Sequence, residues 1–143
     1  MKLTREQIQQ ILPHRDPMLL VDQVEELEPG HSIRALFRVD PERDIFRGHF
    51  PGEPVLPGVY TVECMAQTAD ILVMTLPCYA GKLPLLLGVD KARFLRKITP
   101  GCTVELRARV VSHRPEKAIV TCAAEAYAGE ELAADGLITL ALR

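Results

Sequence analysis

The sequence lacks a strong charge of either sign, a long apolar run and paired cysteine motifs. Its 17 Lys and Arg residues against 19 Asp and Glu give a formal charge of -2. Because nucleic acids are bound largely by neutralising their phosphates, a general DNA- or RNA-binding role is disfavoured. The most apolar segment is interrupted by Glu63, Gln67 and Asp70, short of the ~18 uninterrupted apolar residues of a membrane span. We therefore expect neither nucleic acid nor a bilayer among the partners.

The cysteines show no C-x-x-C spacing and no histidine at zinc-finger distance, which predicts reduced, mostly buried thiols and no metal site. They are Cys64, Cys78, Cys102 and Cys122. Charged and amide side chains interrupt the first seven residues where a signal peptide would need an apolar core, so we expect a cytoplasmic location. The length of 143 residues, with 48% apolar and 25% charged side chains, predicts one globular domain over residues 1–143.

The N-terminal half contains signals for a helix, a hairpin and a long loop. Thr4-Arg5-Glu6-Gln7 has the form of a capping box and predicts a short helix. Residues 18–28 and 33–39 predict two hairpin strands. Residues 40–58 are rich in proline and glycine, so they predict a long structured loop, and such loops are usually functional.

The chain from residue 59 to 76 contains neither glycine nor proline and is apolar on nearly every side, which predicts one long buried helix. Beyond it, alternating residues predict three strands within 104–110, 117–127 and 132–142. Three successive strands suggest an antiparallel meander whose concave face the helix fills. The expected fold is therefore α+β, with one long central helix wrapped by a curved antiparallel sheet.

Three polar residues of the predicted helix fall on one stripe, since Glu63, Gln67 and Asp70 are spaced i, i+4 and i+7. Burial in an apolar setting raises the pKa of a carboxyl group and lets it act as a general acid. Glu63 is the candidate acid. For Asp70 we expect a structural role without direct chemistry. Alternatively, the whole stripe faces solvent or a subunit and only makes hydrogen bonds.

A candidate base and a candidate carbonyl-binding group precede this helix. His49 lies in a loop stiffened by three prolines, which suits the positioning of a base. The other histidines, His14, His31 and His113, are predicted to be structural or solvated. At Gly58 the helix start has free N–H groups that could polarise a carbonyl, although it could equally be an ordinary helix N-terminus.

Together, a base, an acid and a backbone donor provide what is needed to remove a proton α to a thioester carbonyl and expel a β-hydroxyl group. The chain also resembles a known family in four segments. They are LPHRDPMLLVD at 12–22, HFPGEPVLPG at 49–58, ECMAQ at 63–67 and GVDKARF at 88–94. In order and spacing they resemble the 3-hydroxyacyl-acyl-carrier-protein dehydratases of bacterial type II fatty acid synthesis.

This resemblance implies a hot-dog fold, a homodimer and further assembly into a trimer of dimers. It implies that His49 of one protomer faces Glu63 of the other across a tunnel for the acyl chain. The acyl chain would be carried on the phosphopantetheine of an acyl carrier protein, and the enzyme would need no cofactor of its own. A glutamate at position 63, where isomerising relatives carry aspartate, favours a simple dehydratase.

Departures from the family pattern at Met18, Asp70 and Leu85-Leu86 leave the acyl chain length open, as well as a related polyketide or aryl-polyene pathway. A hot-dog acyl thioesterase is the second candidate, and a non-catalytic acyl-binding protein is the third. For the carrier protein, the candidate docking residues are the basic side chains of Arg93, Arg96 and Lys97.

Overall fold

In a computed structural model that describes residues 1–143, the chain begins with helix α1, Arg5–Ile11. The capping box at its N-terminus is confirmed. The Thr4 hydroxyl accepts a hydrogen bond from the Gln7 amide at 3.2 Å, and the Gln7 side chain accepts one from the Thr4 amide at 2.8 Å. These two bonds satisfy donors that a helix start otherwise leaves free.

The predicted hairpin is formed by strands β1, Gln23–Glu28, and β2, Ser32–Arg38. The prediction started the first strand too early, at residue 18. Residues 19–21 are buried in the core, but the Leu20 amide donates to the Gln67 side chain instead of to a neighbouring strand. The apolar pattern of these residues therefore reflects burial alone.

The predicted long loop contains one short helix, α2, Ile45–Gly48, and leads into the long helix α3, Gly58–Met74. Helix α3 ends two residues before the predicted end, ahead of a 3₁₀ turn at Pro77–Tyr79. Twelve of its 17 residues are buried, including Gln67 and Asp70. None of the helices combines the length and hydropathy of a bilayer span.

The sheet has six antiparallel strands in the order β1-β2-β4-β5-β6-β3, where β3 is Pro84–Phe94 and β4, β5 and β6 are the three C-terminal strands. The three predicted C-terminal strands are present as a meander of β4, Thr103–Arg114, β5, Ile119–Ala128, and β6, Glu131–Leu142. Helix α3 packs against β2, β4, β5 and β6. The expected helix wrapped by an antiparallel sheet is thus confirmed.

Strand β3, Pro84–Phe94, was not predicted. It pairs with β6 and forms one edge of the sheet. Its neighbourhood exposes large apolar side chains, about half of each to solvent: Leu83, Leu85, Leu86, Leu87, Phe94 and Leu95. An edge with unpaired backbone groups and this much apolar surface is a ready site for association.

Candidate active site

The loop that follows α2 holds His49 in a defined orientation. Its Nδ1 atom lies 2.7 Å from the carbonyl oxygen of Val55, and the Val55 amide donates back to the His49 carbonyl at 3.0 Å. Because a carbonyl oxygen can only accept, Nδ1 carries the proton of the neutral ring. Nε2 therefore keeps the lone pair that a general base needs.

The start of helix α3 supplies free backbone donors beside this imidazole. The Gly58 and Val59 amides donate no hydrogen bond within the chain, and the first helical bonds to Pro57 are made by Tyr60 and Thr61. The N-terminus of a helix also carries a partial positive charge. A carbonyl oxygen that reached these amides would be polarised by both effects.

His49 and Gly58 line the same cavity, which has a volume of about 370 Å³. Its walls also include Thr61 on α3, Phe94 at the end of β3, and Ala133 on β6. A larger depression of about 1210 Å³ lies on the charged face of the sheet, and it contains none of the candidate catalytic residues. Because His49 and Gly58 both line the smaller cavity, that cavity is the candidate site for the base and the carbonyl-binding group.

Glu63 is oriented by a fully buried amide one turn along the helix. The Gln67 side chain donates to Glu63 Oε2 and to the Met18 carbonyl, at 2.8 Å each, and it accepts from the Leu20 amide at 2.9 Å. Gln67 thus ties Glu63 to the segment that precedes β1. The Glu63 side chain itself stays 26% exposed and accessible.

The same stripe meets a histidine. Nε2 of His14 lies 3.9 Å from Glu63 Oε2 and 3.8 Å from Asp70 Oδ2. Burial raises the pKa of the Asp70 carboxyl well above its ordinary value, and the nearby Glu63 charge adds to that effect. Burial also lowers the pKa of His14, although Glu63 opposes this. The stripe therefore packs against the segment between α1 and β1, through His14 and Met18.

Within one chain, His49 and Glu63 belong to separate sites. No hydrogen bond or ion pair joins them, and Glu63 is not part of the cavity around His49. At 100° per residue, Glu63 projects from α3 about 140° away from Gly58 and about 160° away from Thr61. The helix thus stands between the candidate base and the candidate acid.

Comparison with known proteins identifies the family. A FabA-like domain matches residues 12–136, which is most of the chain. The chain belongs to the FabA-like family. Its four cysteines are free.

Several relatives of this FabA-like chain carry the name 3-hydroxyacyl-[acyl-carrier-protein] dehydratase FabZ. The relative from Desulforamulus reducens is 44% identical over 94% of both chains. The one from Alkaliphilus metalliredigens is 39% identical and covers 99% of this chain and 95% of its own. The family expected from the four sequence segments is therefore confirmed.

Solved structures share the hot-dog architecture at low identity. The dehydratase heterocomplex ApeI:P from Xenorhabdus doucetiae matches with a TM-score of 0.79 and 18% identity, covering 95% of this chain and 90% of that one. A hypothetical thioesterase with coenzyme A from Streptococcus pneumoniae matches with a TM-score of 0.65 and 11% identity, covering 84% of each chain. At these identities the likeness establishes the fold alone.

In this FabA-like chain, two of the three basic candidates form ion pairs. Arg93 pairs with Asp135 on the charged face of the sheet, and Arg96 pairs with Glu131. Arg96 and Lys97 line the cavity around His49, whereas Arg93 does not. Of the three, Lys97 is the one without an ion pair.

Two contacts were not predicted from the sequence. His14 lies close to Glu63 and Asp70, and Phe94 packs over the start of α3 at Gly58. The sequence predicts a structural or solvated role for His14, because nothing in its flanking prolines indicates contact with α3. The dense local motif around it, LPHRDP, was the available signal. Phe94 belongs to the segment GVDKARF, which carries the family resemblance but no local signal for a contact with Gly58. That contact depends on the fold.

Proposed function

We propose that this chain removes water from 3-hydroxyacyl groups carried by acyl carrier protein and releases the trans-2-enoyl product, as a hydro-lyase of fatty acid biosynthesis. The observation that carries the chemistry is the orientation of His49. Its Nδ1 atom is committed to the Val55 carbonyl, which leaves Nε2 as a base at the N-terminus of α3. The names of the relatives supply the substrate class.

In the proposed reaction, the carbonyl oxygen of the thioester binds at the Gly58 amide. Nε2 of His49 removes the proton on Cα, and the acid form of Glu63 gives its proton to the β-hydroxyl group. The C–O bond breaks, a Cα–Cβ double bond forms and water leaves. Side chains and one backbone amide provide every group that this reaction uses, so it needs no cofactor.

The proposal includes a homodimer in which each site takes His49 from one protomer and Glu63 from the other. Two observations support it. Helix α3 separates the two residues within one chain, and the edge strand β3 exposes three consecutive leucines, residues 85–87. A second copy packed at this edge would cover apolar surface, and it could bring its own Glu63 to the His49 cavity. Assembly of three such dimers is part of the same proposal.

We place this activity in the cytoplasm. All four cysteines are free, and Cys78 is exposed. Unpaired, exposed thiols suit a reducing compartment. The carrier protein is the proposed partner, and it would approach at the Arg96 and Lys97 side of the cavity.

The test is an assay with a 3-hydroxyacyl thioester in which enoyl absorbance and free thiol are both followed. Enoyl formation without thiol release is the expected result. Release of thiol would instead indicate a thioesterase, the second candidate, which shares this fold with the thioesterase structure described above. Neither signal across a series of acyl lengths would contradict both enzymes and favour an acyl-binding protein.

A further inference from the structure

Asp70 is a buried carboxyl group that the proposed reaction does not use. It lies two turns beyond Glu63 on the same stripe and is 4% exposed. Its Oδ1 atom is buried without a hydrogen-bond partner, and so is Nδ1 of His14. His14 Nε2 lies 3.8 Å from Asp70 Oδ2 and 3.9 Å from Glu63 Oε2. Two carboxyl groups therefore lie within 4 Å of one imidazole nitrogen.

The surroundings of Asp70 contain no cation that would balance a negative charge. Glu63 faces it from its own helix, His14 from the segment after α1, and the thiol of Cys122 from strand β5. Burial, with the Asp70 charge nearby, raises the pKa of Cys122 to about 12, so this thiol stays neutral. No lysine or arginine forms an ion pair with Asp70. An ionised Asp70 would be a poorly compensated buried anion, so the neutral acid is the stable form.

We propose that Asp70 stores a proton and passes it through His14 to Glu63, which reloads Glu63 as the general acid of the dehydration. This inference rests on the proposed function, in which Glu63 gives its proton to the departing hydroxyl group. Asp70 and His14 are positioning residues: they act on the reaction through Glu63, and neither of them touches the substrate.

The proton balance of this step is simple. The proton leaves Asp70 Oδ2, binds Nε2 of the neutral imidazole and moves from the same nitrogen to Glu63 Oε2. Asp70 becomes a carboxylate, His14 is unchanged and Glu63 becomes an acid. The Cα proton leaves His49 to solvent water, and the Asp70 carboxylate regains a proton from solvent water. Each carboxyl oxygen has to approach Nε2 by about 1 Å to reach hydrogen-bond distance.

A proton held on Asp70 matters because a general acid and a general base are active in different pH ranges. A lone carboxyl group ionises at about pH 4, whereas a histidine becomes an unprotonated base above about pH 6.5. Two carboxyl groups in one site keep a proton between them to higher pH, because both resist being charged together. The proton that the pair retains lies on Asp70, and its transfer is driven by each loss of the Glu63 proton to the departing hydroxyl group.

The test uses Asp70→Asn, which keeps the shape of the side chain and removes the stored proton. We expect the maximum of the pH–rate profile to move to lower pH by about one unit or more, with an activity loss of about tenfold or more at about pH 8. His14→Phe should give the same change, and the double variant should be no worse than either single one. The control is Thr68→Val on the same helix, whose hydroxyl bonds only to the Cys64 carbonyl.

A second measurement does not depend on activity. Infrared spectroscopy at about pH 7 should show a protonated carboxylic acid in the wild type and in Glu63→Gln, and none in Asp70→Asn. Survival of that band in Asp70→Asn, or a pH–rate profile that superimposes on the wild type, would overturn the proton store. Failure of the wild type to dehydrate any 3-hydroxyacyl thioester would overturn the proposed function instead, and the infrared result would still decide where the proton lies.

Discussion

The aromatic ring of Phe94 occupies the space that a side chain at position 58 would fill. A Cβ atom added to Gly58 would lie 3.1 Å from the nearest ring carbon of Phe94. The absence of a side chain at Gly58 therefore lets the end of strand β3 close over the first turn of α3. This contact forms one wall of the cavity that contains His49.

Gly58→Ala should disturb the site more than the fold. The Phe94 ring is 54% exposed, so it can shift, and we expect the free energy of unfolding to change by less than about 1 kcal/mol. Turnover should fall about tenfold, because the ring is pushed into the cavity beside the free amides. Phe94→Ala in the same chain should restore part of the activity. Equal losses in the single and double variants would contradict this account.

His49→Ala and Glu63→Ala should each lower dehydration by about 10²–10⁴-fold, the usual contribution of a general acid or base. Circular dichroism and sizing establish that each variant stays folded and assembled. Mixing the two inactive variants under subunit exchange should restore some activity, because one site of a mixed dimer regains both residues. No recovery despite demonstrated exchange would place both groups in one chain.

Gln67→Leu should destabilise the chain. The substitution leaves the buried Leu20 amide and the Met18 carbonyl without their partner, and unsatisfied buried groups cost about 1–3 kcal/mol each. Urea denaturation should show a loss of about 2–4 kcal/mol. Thr121→Val, which breaks a half-buried hydroxyl contact with Thr139 on the sheet, is the matched control and should lose less.

Asp70 should make stability depend on pH. Burial raises its pKa in the folded chain above the value of about 4 in an unfolded chain, so folding takes up a proton at neutral pH. The stability tied to this group is therefore full below about pH 4 and is lost as pH rises toward the folded pKa.

Asp70→Asn removes this dependence. Its free energy of unfolding should exceed that of the wild type by an amount that grows as pH rises from about 4 toward the folded pKa of Asp70, at up to about 1.4 kcal/mol per pH unit. Urea denaturation at a series of pH values measures the difference. A difference that is constant over this range would show that Asp70 does not take up a proton on folding.

Lys97→Glu should weaken turnover of carrier-bound substrate and spare a short pantetheine thioester. Lys97 lines the His49 cavity without an ion pair, so its charge is available to an acidic partner. The control is Lys117→Glu, at an exposed 3₁₀ turn. It changes the net charge by the same amount and should have little effect on turnover of either substrate. Losses of equal size on both substrates would indicate a damaged cavity.

The sequence predicted those elements of the fold whose signals are local. The Thr4 capping box and the run of residues 59–76 without glycine or proline each depend on neighbouring residues. Strand β3 could not be found in this way, because its leucines follow one another without alternation and Gly88 interrupts them. Its identity as a strand comes from pairing with β6, about 50 residues further along the chain.

For the candidate site, the residue types were predictable and their surroundings were not. The spacing of Glu63, Gln67 and Asp70 correctly placed all three on one stripe. What the stripe meets depends on how the segment before β1 crosses α3, and no local pattern encodes that crossing. The bond from His49 to Val55 is the exception, since both residues lie in one stiff loop.

The proposed division of each site between two chains, with helix α3 between His49 and Glu63, would also make activity depend on the abundance of the protein. If a working site needs two chains, then well below the dissociation constant of the pair the number of sites grows with the square of the chain concentration. Halving the amount of protein would then reduce the catalytic rate about fourfold. The cell would obtain a threshold in acyl-chain processing from mass action alone, without a regulatory ligand.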